Sequence, residues 1–303
     1  MIIAITGGSG FIGKKLLESY LETDHEIRIL SRKIHLKDNR IKSFYGDLTD
    51  PKIDLSNFLD SVDILYHCAG EIKNPHLMNE LHINGTKRLI NYAQGNINLW
   101  VQLSSVGAYG NYRSGIITED SPEDPVGIYE NTKTISDSLV MKSEIPYVIL
   151  RPSNVFGKDM KNQSLFQLIS LIKRDLFFFI GKKGSIVNYI HVDKVVEALI
   201  HCGSNKNAIG EIFIISQSTT VEKMIFTLKM ALDKDKFCLR LPESFVRLIA
   251  LLLVFIPRFP LKVSRINALT GRCTYNSNKI FNSLSLEFKN SIEEDFISLL
   301  KKR

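Results

Sequence analysis

Ile2-Ile3-Ala4-Ile5-Thr6-Gly7-Gly8-Ser9-Gly10-Phe11-Ile12-Gly13 stands at the head of the chain. Its first five residues are apolar or β-branched and predict a buried strand. Lys14-Lys15-Leu16-Leu17-Glu18-Ser19-Tyr20-Leu21 carries helical spacing directly behind the last glycine. A strand that turns sharply, lets a pyrophosphate approach bare backbone and then packs a helix onto the sheet must exclude side chains at set points. Gly7, Gly10 and Gly13 meet that need. The helix would begin with free N–H groups aimed at phosphate. This stretch therefore reads as a dinucleotide site, with Phe11 and Ile12 inside the same loop.

Working outward, strand-like runs at 2–6, 26–30, 41–45, 62–67, 99–104 and 147–150 alternate with helical patterns to about 21, over 77–93 and over 129–142. Such alternation predicts an α/β fold, a doubly wound parallel sheet of Rossmann type, with ligands at the carboxyl ends of its strands. Beyond Gly157 the rhythm loosens, and 164–180 reads as a helix followed by an apolar strand or loop. The expected division is a dinucleotide-binding domain over 1–160, to which 185–216 returns, and a smaller substrate-binding lobe made mainly of 161–303.

A chain of 303 residues can bury a full core without staples. Cys68, Cys202, Cys238 and Cys273 are scattered with no CxxC pair, so neither a metal site nor a disulfide framework is indicated. Met1 leads straight into the first strand, which suggests a cytoplasmic protein without a signal peptide. The net charge of +7 is spread without a like-charged arm; it suits anionic small molecules and gives no reason to expect nucleic acid. The apolar run 245–256 is too short to span a bilayer, which takes about 20 residues. It reads as a buried core helix in preference to a membrane-surface contact, although Arg258, Lys262 and Arg265 just beyond it keep the surface reading alive.

Two stretches could carry chemistry. Tyr129-Glu130-Asn131-Thr132-Lys133 sets a phenol and an ammonium one helical turn apart on one face, where the cation can lower the phenol's pKa and fit it for proton transfer to a carbonyl or alcohol oxygen. The same spacing recurs at Tyr275 and Lys279, near the C-terminus and far from the glycine turn. Val101-Gln102-Leu103-Ser104-Ser105-Val106-Gly107-Ala108-Tyr109-Gly110 is a strand delivering two hydroxyls to its carboxyl end, where a serine can hydrogen-bond a reacting oxygen.

In this order, the glycine turn, the strand-end serines and Tyr-x-x-x-Lys resemble the short-chain dehydrogenase/reductase superfamily. At this length the resemblance is to its extended branch, the NAD-dependent epimerase/dehydratase type that modifies nucleotide sugars. Also matching are Gly46-Asp47-Leu48-Thr49-Asp50, His67-Cys68-Ala69-Gly70, Asn84-Gly85-Thr86, Arg151-Pro152-Ser153-Asn154-Val155-Phe156-Gly157 and Tyr189-Ile190-His191-Val192-Asp193. The resemblance implies Tyr129 as acid/base, Lys133 as its partner and a ligand of the nicotinamide ribose, and Ser105, ahead of Ser104, as the catalytic serine. It implies Asp47 on the adenine amino group, Leu48 beside the ring, Cys68, Ala69 and Gly70 bordering the cofactor, and Asn154 facing the substrate.

The second predicted strand ends Ser31-Arg32-Lys33, where an acidic residue would hold the ribose diol of NAD and a basic one can pair with a 2′-phosphate; Ser31 and Arg32 favour NADP, with NAD the alternative. Val187 stands where many nucleotide-sugar members carry a diphosphate-binding arginine, so Arg272, Arg265 or Lys183 would have to compensate. The expected activity is an NADP-preferring reductase acting on a keto carbon, C4 of a nucleotide-linked sugar. The alternatives are an NAD-dependent 4-epimerase, a sterol-type or other lipophilic alcohol dehydrogenase, and a non-enzymatic dinucleotide sensor. The resemblance further implies a homodimer built on the helices near 77–93 and 129–142.

Overall fold

The computed structural model describes residues 1–32, 38–160, 164–252 and 263–300. Seven parallel strands form the main sheet: β1 (Ile2–Thr6), β2 (Glu26–Ser31), β3 (Ile41–Tyr45), β4 (Val62–His67), β5 (Ile97–Leu103), β6 (Tyr147–Pro152) and β7 (Ile212–Ile215). Their spatial order is β7-β6-β5-β4-β1-β2-β3. The order reverses between β1 and β4, where Ile3 pairs with Ile27 on one side and Ile64 on the other. A crevice opens at the carboxyl ends of strands at such a point. Ile3, Ala4 and Ile5 are fully buried because helices cover both faces, which is why β1 reads as an unbroken apolar run.

One face carries α1 (Phe11–Tyr20) and α4 (Val192–Ser204), and the other carries α2 (Thr86–Ala93) and α3 (Ile128–Met141). The helical stretch before α2 starts earlier than the periodicity predicts, at Pro75, because the Asn74 side chain accepts a hydrogen bond from the His76 N–H and Pro75 needs no partner for its nitrogen. It widens to a π-helical turn over Asn79–Gly85 before tightening into α2.

Of the segment expected to rejoin the main sheet, only Ile212–Ile215 adds a strand to it; Ile186–His191 joins a small sheet between Asn154–Phe156 and Gln217–Thr220. Conversely, the helix Asn278–Leu284 buries Ile280 and Leu284 in the main-sheet core, although it lies deep in the C-terminal third. Helix α5 (Glu243–Leu252) departs from the buried reading of 245–256. It buries Val246 and Ala250 against Ile180 and Ile266 but leaves Phe245, Leu248, Leu251 and Leu252 exposed. Residues 253–256, with Arg258 and Lys262, lie outside the described residues.

Candidate active site

The glycine turn closes as the sequence demands. Gly7 has φ +71°, and a Cβ on it would lie 2.7 Å from the backbone of Cys68 and Ala69, so β1 and β4 deliver their ends into contact. A Cβ on Gly13 would lie 2.8 Å from the Gly7 carbonyl carbon, so only glycine lets α1 pack this close to the turn. Gly10 N–H donates to the Gly7 carbonyl at 2.8 Å, and no side chain caps α1. Bare backbone and an uncapped helix start are together what the pyrophosphate of a dinucleotide would need. Phe11 reaches over to Gly157, and Ile12 packs with the core on the α1 face.

At the adjacent strand ends, Asp47 Oδ1 accepts the Thr49 N–H at 2.9 Å and its hydroxyl at 2.8 Å, while Oδ2 lies 3.8 Å from the guanidinium of Arg32. Ser31 ends β2 immediately before that arginine. The Leu48 side chain is buried in the core with Leu89, and its carbonyl accepts from Arg88 at 2.7 Å. Cys68 sits against the turn, its thiol pushed up to about 12 by burial, so it is a packing residue at neutral pH and not a nucleophile. Ala69 N–H points to the Thr6 hydroxyl at 3.4 Å.

Helix α3 brings Lys133 and its neighbours to the end of β5. Lys133 is buried, and its ammonium donates to the Leu103 carbonyl at 2.5 Å, one residue before Ser104. Ser105 begins a short 3-10 turn and accepts the Gly107 N–H at 3.1 Å. Gly107 in turn lies against Glu130, next to Tyr129. The second Tyr-x-x-x-Lys match differs in kind: Tyr275 ends a strand, and Lys279 opens a separate helix where it pairs with Glu211 at 2.8 Å.

The expected lowering of the Tyr129 phenol is not found. Burial raises it to about 12, with Glu130 and Asp137 adding in the same direction, while the Lys133 ammonium is committed to a backbone carbonyl. Burial also pulls the lysine's own pKa down, against the opposing pull of Asp137. A phenol so placed is protonated at neutral pH and can donate a proton to an oxygen that gains charge.

Two supporting residues, His82 and Asp137, escaped the motif reading. His82 packs the edge of its ring against Tyr129, with centroids 5.7 Å apart and planes at 80°. Its Nε2 accepts the Glu71 N–H at 2.9 Å, which leaves Nδ1 to donate to Thr132 Oγ1 at 2.8 Å. Burial, and secondarily Lys133, lowers His82 to about 3, so it is neutral. Asp137, one turn beyond Lys133, accepts the Ser104 hydroxyl at 2.6 Å and Arg151 Nη2 at 3.0 Å, all three side chains being buried. The Arg151 guanidinium also lies 5.0 Å over the Tyr109 ring. Arg151 was visible in a motif; its partner was not, because Asp137 meets it only across the packed α3 and β6.

Asn154 and Arg272 flank the strand Ile186–His191. Asn154 Nδ2 donates to the Asn188 carbonyl at 3.1 Å, and Arg272 Nη2 to the Lys183 carbonyl at 2.8 Å. Arg272 lines an open cavity of about 570 Å³ together with Lys182, Arg240, Glu243 and Thr270. Arg265 hydrogen-bonds Gln167 instead, and the buried Val187 leaves its position without a charge.

Residues 3–216 match the model of the NAD dependent epimerase/dehydratase family. The chain belongs to that family. It is therefore an NAD-dependent enzyme of the extended short-chain dehydrogenase/reductase type, with oxidoreductase or epimerase chemistry. The sterol-4-alpha-carboxylate 3-dehydrogenase, decarboxylating, of Saccharomyces cerevisiae is 26% identical over 250 residues, covering 72% of this chain and 71% of that one. UDP-glucose 4-epimerase of Vibrio cholerae is 26% identical over 265 residues, covering 79% and 78%. The fold is similar to that of UDP-glucuronic acid 4-epimerase from Bacillus cereus, solved in complex with NAD, at a TM-score of 0.76, 19% identity and coverage of 98% and 95%. The family members therefore share the dinucleotide framework, while the names of the relatives divide between sterols and nucleotide sugars.

Proposed function

We propose that this protein reduces a keto carbon, C4 of a nucleotide-linked sugar, using NADPH. The observation that carries the reading is α3: it sets Tyr129 and buried Lys133 on one face beside the Ser104–Ser105 end of β5. When bound, the nicotinamide cofactor supplies the hydride. Gly7, Gly10 and Gly13 would admit its pyrophosphate, Arg32 its 2′-phosphate, and Asp47 its adenine. Ser105 and Tyr129 would hydrogen-bond the substrate oxygen, and the protonated phenol would donate its proton as that oxygen gains charge. Reduction needs the phenol, and a phenol held near 12 carries that proton at neutral pH.

Support for an anionic substrate comes from Lys182 and Arg272, which line a cavity of about 570 Å³ that suits a small ligand; Arg240 lines it too but is paired with Glu222 at 2.6 Å. Asn154 would meet the sugar. Arg32 is 72% exposed, and at 3.8 Å its contact with Asp47 is too long for a strong hydrogen bond, so a phosphate dianion can recruit it. Homodimerisation belongs to the same proposal: Leu77, Ile128 and Ile135 lie exposed on the two helical stretches that would form it.

Fluorescence titration with NADPH and NADH, followed by a screen of keto sugars for cofactor oxidation, tests the reading. Turnover that vanishes in Tyr129→Phe supports it. Tightly bound NAD⁺ in the purified protein, with sugar interconversion and no added cofactor, would replace it by the 4-epimerase. Binding without turnover would leave a sensor.

A further inference from the structure

The face of α5 that looks away from the protein is apolar and has no partner among the described residues. Phe245, Leu248, Leu251 and Leu252 are 51%, 55%, 60% and 67% exposed, and their spacing of three, three and one places them along one side of the helix. The opposite side is occupied, since Val246 and Ala250 pack on Ile180 and Ile266. Four large apolar side chains on ten residues of helix form a contiguous patch, unlike the single exposed hydrophobics that any surface carries.

The charges of this helix and of the sequence that follows it say what the face meets. From Ser244 to Gly271 the sequence holds no Asp or Glu, while Arg247, Arg258, Lys262 and Arg265 fall inside the stretch. Glu243, at the first turn of the helix, is shared between Arg113 at 2.9 Å and Arg247 at 2.7 Å, so this cluster keeps a net positive charge. A second copy of the chain is a poor partner, because a two-fold contact would set the same cationic surround against itself. A solvent-exposed role leaves the apolar area unexplained. An anionic headgroup layer over an acyl region satisfies both features at once. No helix among the described residues is long and apolar enough to cross a membrane.

We propose that α5 docks this protein in-plane on an anionic lipid surface, with Phe245, Leu248, Leu251 and Leu252 entering the interface and the neighbouring arginines meeting headgroups. The helix also starts at the rim of the cavity described above, through Glu243 and Ser244. Docking would thus hold that cavity beside the bilayer, whatever the substrate, and it stands independently of the keto-sugar reading.

The test is flotation of the full-length protein with vesicles of phosphatidylcholine alone and of phosphatidylcholine with 30% (~30 mol%) phosphatidylglycerol at low and high salt. The expected result is binding to the anionic vesicles that weakens by about tenfold or more on the neutral ones and falls as salt rises. A triple variant Leu248→Ser, Leu251→Ser, Leu252→Ser should lose binding by about tenfold or more while nearly keeping its circular dichroism and melting temperature, because more than half of each residue already faces solvent. Absence of wild-type binding to anionic vesicles overturns the proposal. So does unchanged binding by the triple variant, or a dimer in wild type that the variant dissolves without any vesicle binding in either.

Discussion

The Arg32 guanidinium lies 3.8 Å from the Asp47 carboxylate, at the neighbouring carboxyl ends of β2 and β3. Two residues predicted to hold different parts of one cofactor therefore share a single electrostatic environment. A 2′-phosphate entering there would draw Arg32 and repel Asp47, while a bare ribose diol would do neither. Arg32→Ser should lower the ratio of kcat/KM for NADPH over NADH by about tenfold or more, leaving the NADH value nearly unchanged. Steady-state kinetics with both cofactors decides it, and an unchanged ratio would show that Arg32 does not read the 2′-phosphate.

Tyr129 gives a directional pH dependence. Because burial holds the phenol near 12, its proton is present throughout the neutral range. The reductive kcat should be flat from about pH 6 to 9 on account of this group, and the oxidative kcat should climb about tenfold per pH unit, following the phenolate fraction. Tyr129→Phe should cost about 10²- to 10⁴-fold in both directions. A reductive rate that falls on an apparent pKa near 7 would mean that the phenol is lowered in the working complex.

Two buried neutral histidines should make the fold acid-sensitive. His82 lies near 3 and His67 well below its usual 6.5, each chiefly through burial. An unfolded chain binds a proton at each histidine below pH 6.5, whereas the native state binds almost none, so stability is complete above that value and lost as pH falls toward 3. The slope should reach at most about 1.4 kcal/mol per pH unit for each histidine. Urea denaturation between pH 7.5 and 5 measures it, and His82→Gln should remove about half of the histidine contribution. If stability stays level over that range, the histidines are not excluded from protons as their burial implies.

Asp137→Ala should be among the most damaging substitutions outside the motifs. It strands the fully buried Arg151 and removes the acceptor of Ser104, for a loss of about 3–5 kcal/mol. Asp137→Asn keeps the volume and one acceptor and should lie between the two. Thermal melts of the three proteins rank them, and near-wild-type stability in the alanine variant would show that Glu123, which also accepts from Arg151 at 2.5 Å, can carry the arginine alone.

Gly13→Ala introduces a methyl where the Gly7 carbonyl already stands, so α1 must back away from the turn. Dinucleotide affinity should fall by about tenfold or more, with a modest drop in melting temperature. Fluorescence titration with NADPH checks it; wild-type affinity would show that the cradle tolerates the shift.

The glycine turn, the first six main-sheet strands and the helix of Tyr129 and Lys133 were all legible from spacing, because local backbone geometry and period-of-burial leave a mark on adjacent residues. His82 and Asp137 left none. Each acts through a partner on another element: His82 on Thr132, fifty positions away, and Asp137 on Arg151 across the helix–sheet contact. Side chains that meet only after packing have no periodic trace.

The same reason divides the rest. Dinucleotide-fold membership follows from the run Ile2 to Gly13 together with Ser105, Tyr129 and Lys133, since each requirement there is met by residue type at a fixed spacing. Packing alone decided the burial that raises the Tyr129 phenol, the pairing of Arg32 with Asp47, and the exposure of α5. Hydropathy reports how apolar a segment is, as in 245–256, but not whether another element arrives to cover it; here Val246 and Ala250 find partners, and Phe245, Leu248, Leu251 and Leu252 face outward.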